Sequence, residues 1–470
     1  MTPADARVSL HRFGSLPAWL TAAVDPERIG AALARHEPRF RLDRVTAKRL
    51  RLNREGTWTG RYHATATGPD GVVRALALLG TLYPPTAVPA ADGPPAAPFG
   101  TPGWRRFVPE LGLELTSAPA DEAALPSLPL LTDAARARRL LEQWLRAAAP
   151  AYAGLRLAGC TPRVVRSKPG NRCTILYDLA YPPGVDGPSL VVAKAYRGDK
   201  GRNAWDGMRA LWASPLAAGE VVTIAEPLAY LPELGVVVQG PVGERQTLKQ
   251  LVRAALASGA SGALAELDAA MDRTAAGLAA LHTCGADYGE PVTVAGELAE
   301  VRGTLRALAA AVPELTDAAT PLLATLAELA TGKPPDPAAP SHGSFRPAQV
   351  LLDGDRVAFV DFDDACQAEP AMDLALFTSS VKGVGLVEAR GGSATGPALA
   401  ERRLVQLERV CTRFLDRYQA LAPVSSERVA LWEALLLLGD LVQAWAKVEP
   451  AKAAPALLLL ERHLELSGLA

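Results

Sequence analysis

The segment from Ser341 to Asp364 constrains this chain more than any other. A polar loop, His342-Gly343-Ser344-Phe345-Arg346-Pro347-Ala348-Gln349, is followed by the apolar run Val350-Leu351-Leu352 and then by Val357-Ala358-Phe359-Val360, which closes on Asp361-Phe362-Asp363-Asp364. Two short apolar runs bounded by polar and turn residues predict two strands, with the loop before the first and carboxylates at the end of the second. Carboxylates delivered beside a polar loop suit a metal-bound phosphate.

Composition excludes several classes of partner. The 470 residues are 49% hydrophobic and 21% charged, an ordinary globular mixture with room for two or three cores. Lys and Arg (49) nearly balance Asp and Glu (50), so no global field favours nucleic acid or an anionic membrane surface. Five scattered cysteines, Cys160, Cys173, Cys284, Cys366 and Cys411, never form Cys-x-x-Cys, which argues against a disulfide framework and a structural zinc site. The opening residues lack a basic segment followed by an apolar one, and a soluble cytoplasmic protein is expected.

Two Pro/Ala/Gly-rich stretches, Pro84 to Gly103 and Thr331 to Pro340, read as surface loops. Phe107 to Leu115 and Tyr230 to Val238 share Pro-Glu-Leu-Gly before a strand-like run. Upstream, Val45-Thr46 to Tyr62 and Val72 to Tyr83 mirror Cys160-Thr161 to Tyr177 and Leu190 to Tyr196. Internal duplication is one reading and chance the other. After Gly240 the spacing of apolar residues predicts helices over Gln246 to Leu256, Ala263 to His282 and Thr293 to Leu308, then Arg402 to Ala420, Ser426 to Val448 and Ala453 to Leu466.

The 342–361 segment resembles the catalytic segment of the aminoglycoside phosphotransferase and choline-kinase-like group: His-Gly-Asp, a short spacer, Asn, then a strand ending in Asp. His342, Gly343 and Asp361 match, and Glu369-Pro370-Ala371-Met372-Asp373-Leu374-Ala375 resembles the group's Asp-Pro-Ala-x-Asp-Leu-Ala. Ser344 stands where the group has its catalytic Asp, and Gln349 where it has a metal-binding Asn. The resemblance implies an α+β, bilobal protein-kinase-like fold with an additional N-terminal β-rich domain. Its divisions would be 1–130, read as a degenerate duplicate of the nucleotide lobe or an unrelated domain, 131–240 for that lobe, and 241–470 for a helical lobe with the catalytic hairpin. ATP and Mg²⁺ are the implied cofactors, and a hydroxyl on a small molecule or peptide the implied acceptor.

Roles follow by matching. In Val191-Val192-Ala193-Lys194-Ala195-Tyr196, Lys194 resembles the strand lysine that meets nucleotide phosphates, and Asp206 is the acid in the helix expected to pair with it. Arg172 lies in a basic turn, Arg166 to Cys173, which is either a phosphate cradle or a plain hairpin turn. Gln239 begins Gln-Gly-Pro-Val-Gly, which resembles the hinge where backbone groups meet an adenine edge, though Gly and Pro there also mark any domain linker. Asp361 and Gln349 would hold the metal, while Ser344, Asp361 and Asp363 would carry catalysis. His282 resembles a core histidine, and Asp373 a buried brace of the loop.

Serine is no base near neutral pH, so assistance worth roughly 10²–10⁴-fold would be missing. Phosphoryl transfer relies mainly on positioning and electrostatics, so it need not vanish. Three readings stay open: a phosphotransferase with Asp363 supplying the carboxylate, a pseudokinase that binds or scaffolds, and a nucleotidyl (AMP) transferase.

Overall fold

The computed structural model describes residues 10–89, 97–118, 125–148, 150–168, 170–390 and 397–469. The opening residues and part of the Pro84–Gly103 loop lie outside them. The chain divides into two compact units. One joins Met1–Glu122, Val294–Pro334 and Glu433–Ala470, and the other joins Ala123–Thr293 and Pro335–Trp432, so the division interleaves along the sequence.

In the first unit a short helix, α1 (Ala18–Ala22), leads to α2 (Pro26–His36). Asp25 starts α2 by accepting from the Glu27 and Arg28 N–H groups at 2.9 and 3.2 Å, and Ile29, Ala32 and Leu33 form its buried stripe. Five strands follow: β1 (Arg41–Leu52), β2 (Trp58–Thr67), β3 (Val73–Leu82), β4 (Arg105–Val108) and β5 (Leu113–Ser117). They pair antiparallel in the order β1-β2-β3-β5-β4. Trp58, Tyr62, Ala64 and Ala66 bury one face of β2, the period-two pattern of a half-covered sheet. Helices Val294–Ala309, Pro313–Gly332 and Pro450–Ser467 belong to the same unit.

The second unit opens the same way. Helices α3 (Leu128–Thr132) and α4 (Ala134–Ala148) precede β6 (Gly159–Lys168), β7 (Arg172–Ala180), β8 (Leu190–Tyr196), α5 (Lys200–Trp212), β9 (Thr223–Ile224), β10 (Pro227–Leu231) and β11 (Val236–Gln239). The sheet order is β10-β11-β8-β7-β6, which is the order of the first sheet with β10 and β11 standing for β4 and β5. Ala137, Leu141, Trp144 and Leu145 make the buried stripe of α4 and share a core with Ile175, Tyr177, Val191, Ala193 and Ala195. That core takes one face of β8 and leaves Val192, Lys194 and Tyr196 on the other.

The two sheets agree in detail. Each Pro-Glu-Leu forms a 3-10 turn ended by a glycine in the left-handed region, Gly112 (φ 59) and Gly235 (φ 60). Each such glycine accepts from a tyrosine N–H, that of Tyr83 at 2.9 Å and that of Tyr196 at 2.8 Å. Thr81 faces Thr59 across the strand pair as Lys194 faces Thr174. Among the described residues, only the second sheet carries an α-helix, α5, between its third and fourth strands.

Beyond β11 come β12 (Gln246–Thr247), helices Leu248–Ser258 and Ser261–Thr283, and later β13 (Ala339–Ser341), β14 (Val350–Asp353), β15 (Arg356–Phe359) and β16 (Cys366–Ala368). The β14–β15 hairpin is flanked by β12 and by β9, and β13 pairs with β16. Helices Pro370–Arg390 and Pro397–Gln419 complete this helical part. The architecture is α+β and kinase-like, with a five-stranded sheet ahead of a helical lobe that carries a β-hairpin. Ser426–Ala446 is long and apolar enough to cross a membrane, yet most of it is buried inside the protein, as for a core helix.

Candidate active site

Between the β6–β11 sheet and the β14–β15 hairpin lies a cleft of about 880 Å³. Lys194, Arg172, Gln239, Ser344, Gln349, Asp361 and Asp363 all line it. The loop before β14 is fixed from beneath. Asp373, fully buried at the start of helix Pro370–Arg390, accepts from the His342 N–H at 2.6 Å and the Gly343 N–H at 3.0 Å. His282 Nε2 lies 3.3 Å from Oδ2, the oxygen that takes the His342 N–H, and the His282 ring is itself held by the Tyr418 hydroxyl at 2.7 Å. Burial alone would raise the Asp373 carboxyl, but His282 and the loop amides hold it below its ordinary value. Gly343 has φ 76, and a Cβ there would collide with the Asp364 carbonyl, so only glycine fits.

The hairpin ends in charge. Asp361 adopts the left-handed conformation (φ 75, ψ 51) as β15 gives way to a 3-10 turn over Phe362–Asp364. Lys194 Nζ lies 2.7 Å from Asp361 Oδ1 and 3.2 Å from Asp363 Oδ1. Arg172 Nη1 lies 3.1 Å from Asp361 Oδ1 and also pairs with Asp363 Oδ2. Two cations thus bridge two carboxylates. Burial would raise the Asp361 carboxyl, but the neighbouring Lys194 and Arg172 charges overcome it and hold the group well below the usual carboxylate range.

Three of the residues that complete this cluster were not singled out by the sequence. The Tyr196 hydroxyl donates to Asp363 Oδ1 at 2.7 Å. Its signal was its position, two residues after Lys194 on the same strand face and opposite Arg172 in register. Asn203 donates to the carbonyls of Asp363 and Ala365 at 3.0 and 2.9 Å. One turn on, a Cβ at Gly207 would stand only 2.9 Å from Ala365 Cβ, so that glycine lets α5 approach closely. Asp206, expected beside Lys194, is exposed and absent from the cleft lining, while Asn203 on the preceding turn faces it. The helix therefore fastens the 363–365 segment through an amide instead of pairing with the lysine.

Ser344 receives a bond of 3.4 Å from Gln349 Nε2, and Gln349 Oε1 is buried without a partner. Gln239 is buried at the end of β11, beside Gly240, whose N–H is taken by the Glu226 carbonyl at 2.8 Å. Arg346 and Asp364 also line the cleft, both exposed.

A sequence model of the phosphotransferase enzyme family matches residues 212–424, the stretch that holds the 342–361 loop, the hairpin and Asp373. That stretch is similar to the phosphotransferase enzyme family. No curated protein matches the chain. Among solved structures, a glucosamine kinase in complex with glucosamine, ADP and inorganic phosphate is similar at 20% identity and a TM-score of 0.49, over 94% of this chain and 98% of that one. A thermostable mutant of an aminoglycoside phosphotransferase in ternary complex with ADP and hygromycin B is similar at 15% and 0.43, over 70% and 98%. A choline/ethanolamine kinase family protein from Mesorhizobium loti is similar at 16% and 0.42, over 71% and 99%. Likenesses of this size leave the ligands of this chain to its own residues.

Proposed function

We propose that the cleft binds a nucleoside triphosphate and transfers its terminal phosphoryl group to a hydroxyl. The observation that carries this reading is the Lys194–Arg172–Asp361–Asp363 cluster at the inner end of the cleft, with the Gln239–Gly240 hinge also in its lining. Lys194 and Arg172 are the cations for the phosphates, and the hinge backbone is the surface for the base.

The donor set fits a hard divalent cation. Gln349 Oε1 is a buried acceptor with no partner, and Asp361 is a carboxylate kept ionised. Asp361 and Gln349 would hold Mg²⁺, which when bound neutralises phosphate charge. Asn203 and Gly207 keep the 363–365 segment in place, and Asp373 keeps the loop amides in place.

The acceptor is a small molecule or peptide, and a cytoplasmic setting fits the five scattered cysteines, none of which is in a disulfide. The sheet of residues 41–117 is a degenerate copy of the nucleotide lobe. Its shared strand order and glycine turns support this, and Thr81 in the place of Lys194 leaves it without phosphate chemistry.

Calorimetry with ATP and ADP, with and without Mg²⁺, tests the reading. Nucleotide binding strengthened by Mg²⁺ is expected, and an absence of binding would remove it. Binding without turnover would favour a pseudokinase, and transfer of AMP would show as the larger product mass.

A further inference from the structure

Four carboxylates line the cleft: Glu244, Asp361, Asp363 and Asp364. Lys194 and Arg172 engage both Asp361 and Asp363, and Asp363 also accepts from Tyr196. Both carboxylates are thus already engaged by donors within the cluster. Glu244 lies past Pro241 at the hinge end of the lining. Asp364 remains, an exposed carboxylate in the cleft wall.

Its position is built. Asn203 holds the carbonyls on either side of Asp364, those of Asp363 and Ala365. The Asp364 carbonyl lies against Gly343, leaving no room for a Cβ there, and Gly343 immediately precedes Ser344. The carboxylate is therefore carried by a residue whose backbone is packed on the loop that supplies Ser344.

We propose that Asp364 is the catalytic carboxylate on the acceptor side, doing the proton transfer for which Ser344 lacks basicity. The proposal rests on the phosphotransferase reading above. As the acceptor oxygen bonds to the γ-phosphorus, the bond from that phosphorus to the β,γ-bridging oxygen breaks and its electron pair leaves with ADP. The hydroxyl proton passes to Asp364 and then to solvent, while the Ser344 hydroxyl orients the acceptor.

Water serves as the acceptor in the test, with MgATP as the donor and the full chain as the enzyme. Asp364→Asn is expected to slow ATP hydrolysis by roughly 10²-fold while leaving the calorimetric affinity for MgATP unchanged. Adding Ser344→Asp to that variant should restore most of the rate, since it returns a carboxylate to the cleft lining beside Gly343. Rescue is a result that a merely structural role for Asp364 would not give. An Asp364→Asn protein as fast as wild type overturns the assignment, and so does a double variant that binds MgATP yet stays slow. Wild-type protein that binds MgATP without hydrolysing it overturns the Asp364 role alone and leaves nucleotide binding standing. Wild-type protein that does not bind MgATP overturns the phosphotransferase reading and this proposal with it.

Discussion

Tyr62 and Tyr177 make the same bond in two different sheets. Each hydroxyl donates at 2.9 Å to a buried carbonyl, Ala23 for the first and Leu131 for the second. In each case the carbonyl lies two residues before an aspartate, Asp25 or Asp133, whose side chain accepts from the first turn of the following helix. Tyr62→Phe and Tyr177→Phe should therefore each cost about 1–2 kcal/mol by leaving a buried carbonyl unpaired. Urea unfolding reads the loss, and a near-zero effect of one alone would part the two sites. The gain in stability on adding MgADP should be as large in Tyr62→Phe as in wild type.

Lys194→Met and Asp361→Asn should each weaken MgATP binding by roughly tenfold or more, because each removes a charged hydrogen-bonding partner. Calorimetry checks this. Unchanged affinity in both proteins would move the nucleotide out of this cleft.

Acid should act through Asp373 and Asp361. Both have folded-state pKa values below their unfolded value of about 3.9, so the stability they add is fully present above that pH and lost as pH falls through the folded values. Asp373→Asn should cost about 3 kcal/mol at neutral pH, by stripping His282 and two loop amides of a charged partner. The same variant should flatten the acid limb below about pH 4. Unfolding curves at pH 7 and pH 3 would show it, and an undiminished slope would assign the acid sensitivity elsewhere.

Gly343→Ala should cost at least about 1–2 kcal/mol from its left-handed backbone, with the clash against the Asp364 carbonyl in addition. Gly207→Ala, at φ below zero on a helix, should be milder and should act by lifting α5 from Ala365. Thermal unfolding with and without MgADP separates the two, since a displaced α5 should reduce the nucleotide's stabilisation more than the apo midpoint.

What was legible in the sequence was local. The 342–361 loop and hairpin could be read because polarity and spacing there follow strand geometry, and Lys194 because one charge interrupts an apolar strand. Asn203 was not legible, because an amide that bonds to main-chain carbonyls carries no charge to mark it. Tyr196 was hidden by its own apolarity. The grouping of Val294–Pro334 with the first 122 residues was not legible at all, since an amphipathic helix records that it is covered and not by what.

The interleaving of the first unit fixes the order in which it can mature. The Trp58 indole, buried in β2, donates to the Trp445 carbonyl at 3.2 Å, and the Trp445 indole donates to Phe13 at 3.0 Å. Synthesis delivers the earliest strands first, but their partners arrive only with the last helices. The opening sheet must therefore wait, partly uncovered, for nearly the whole chain to leave the ribosome, and no single cut releases it as a fragment with its core intact.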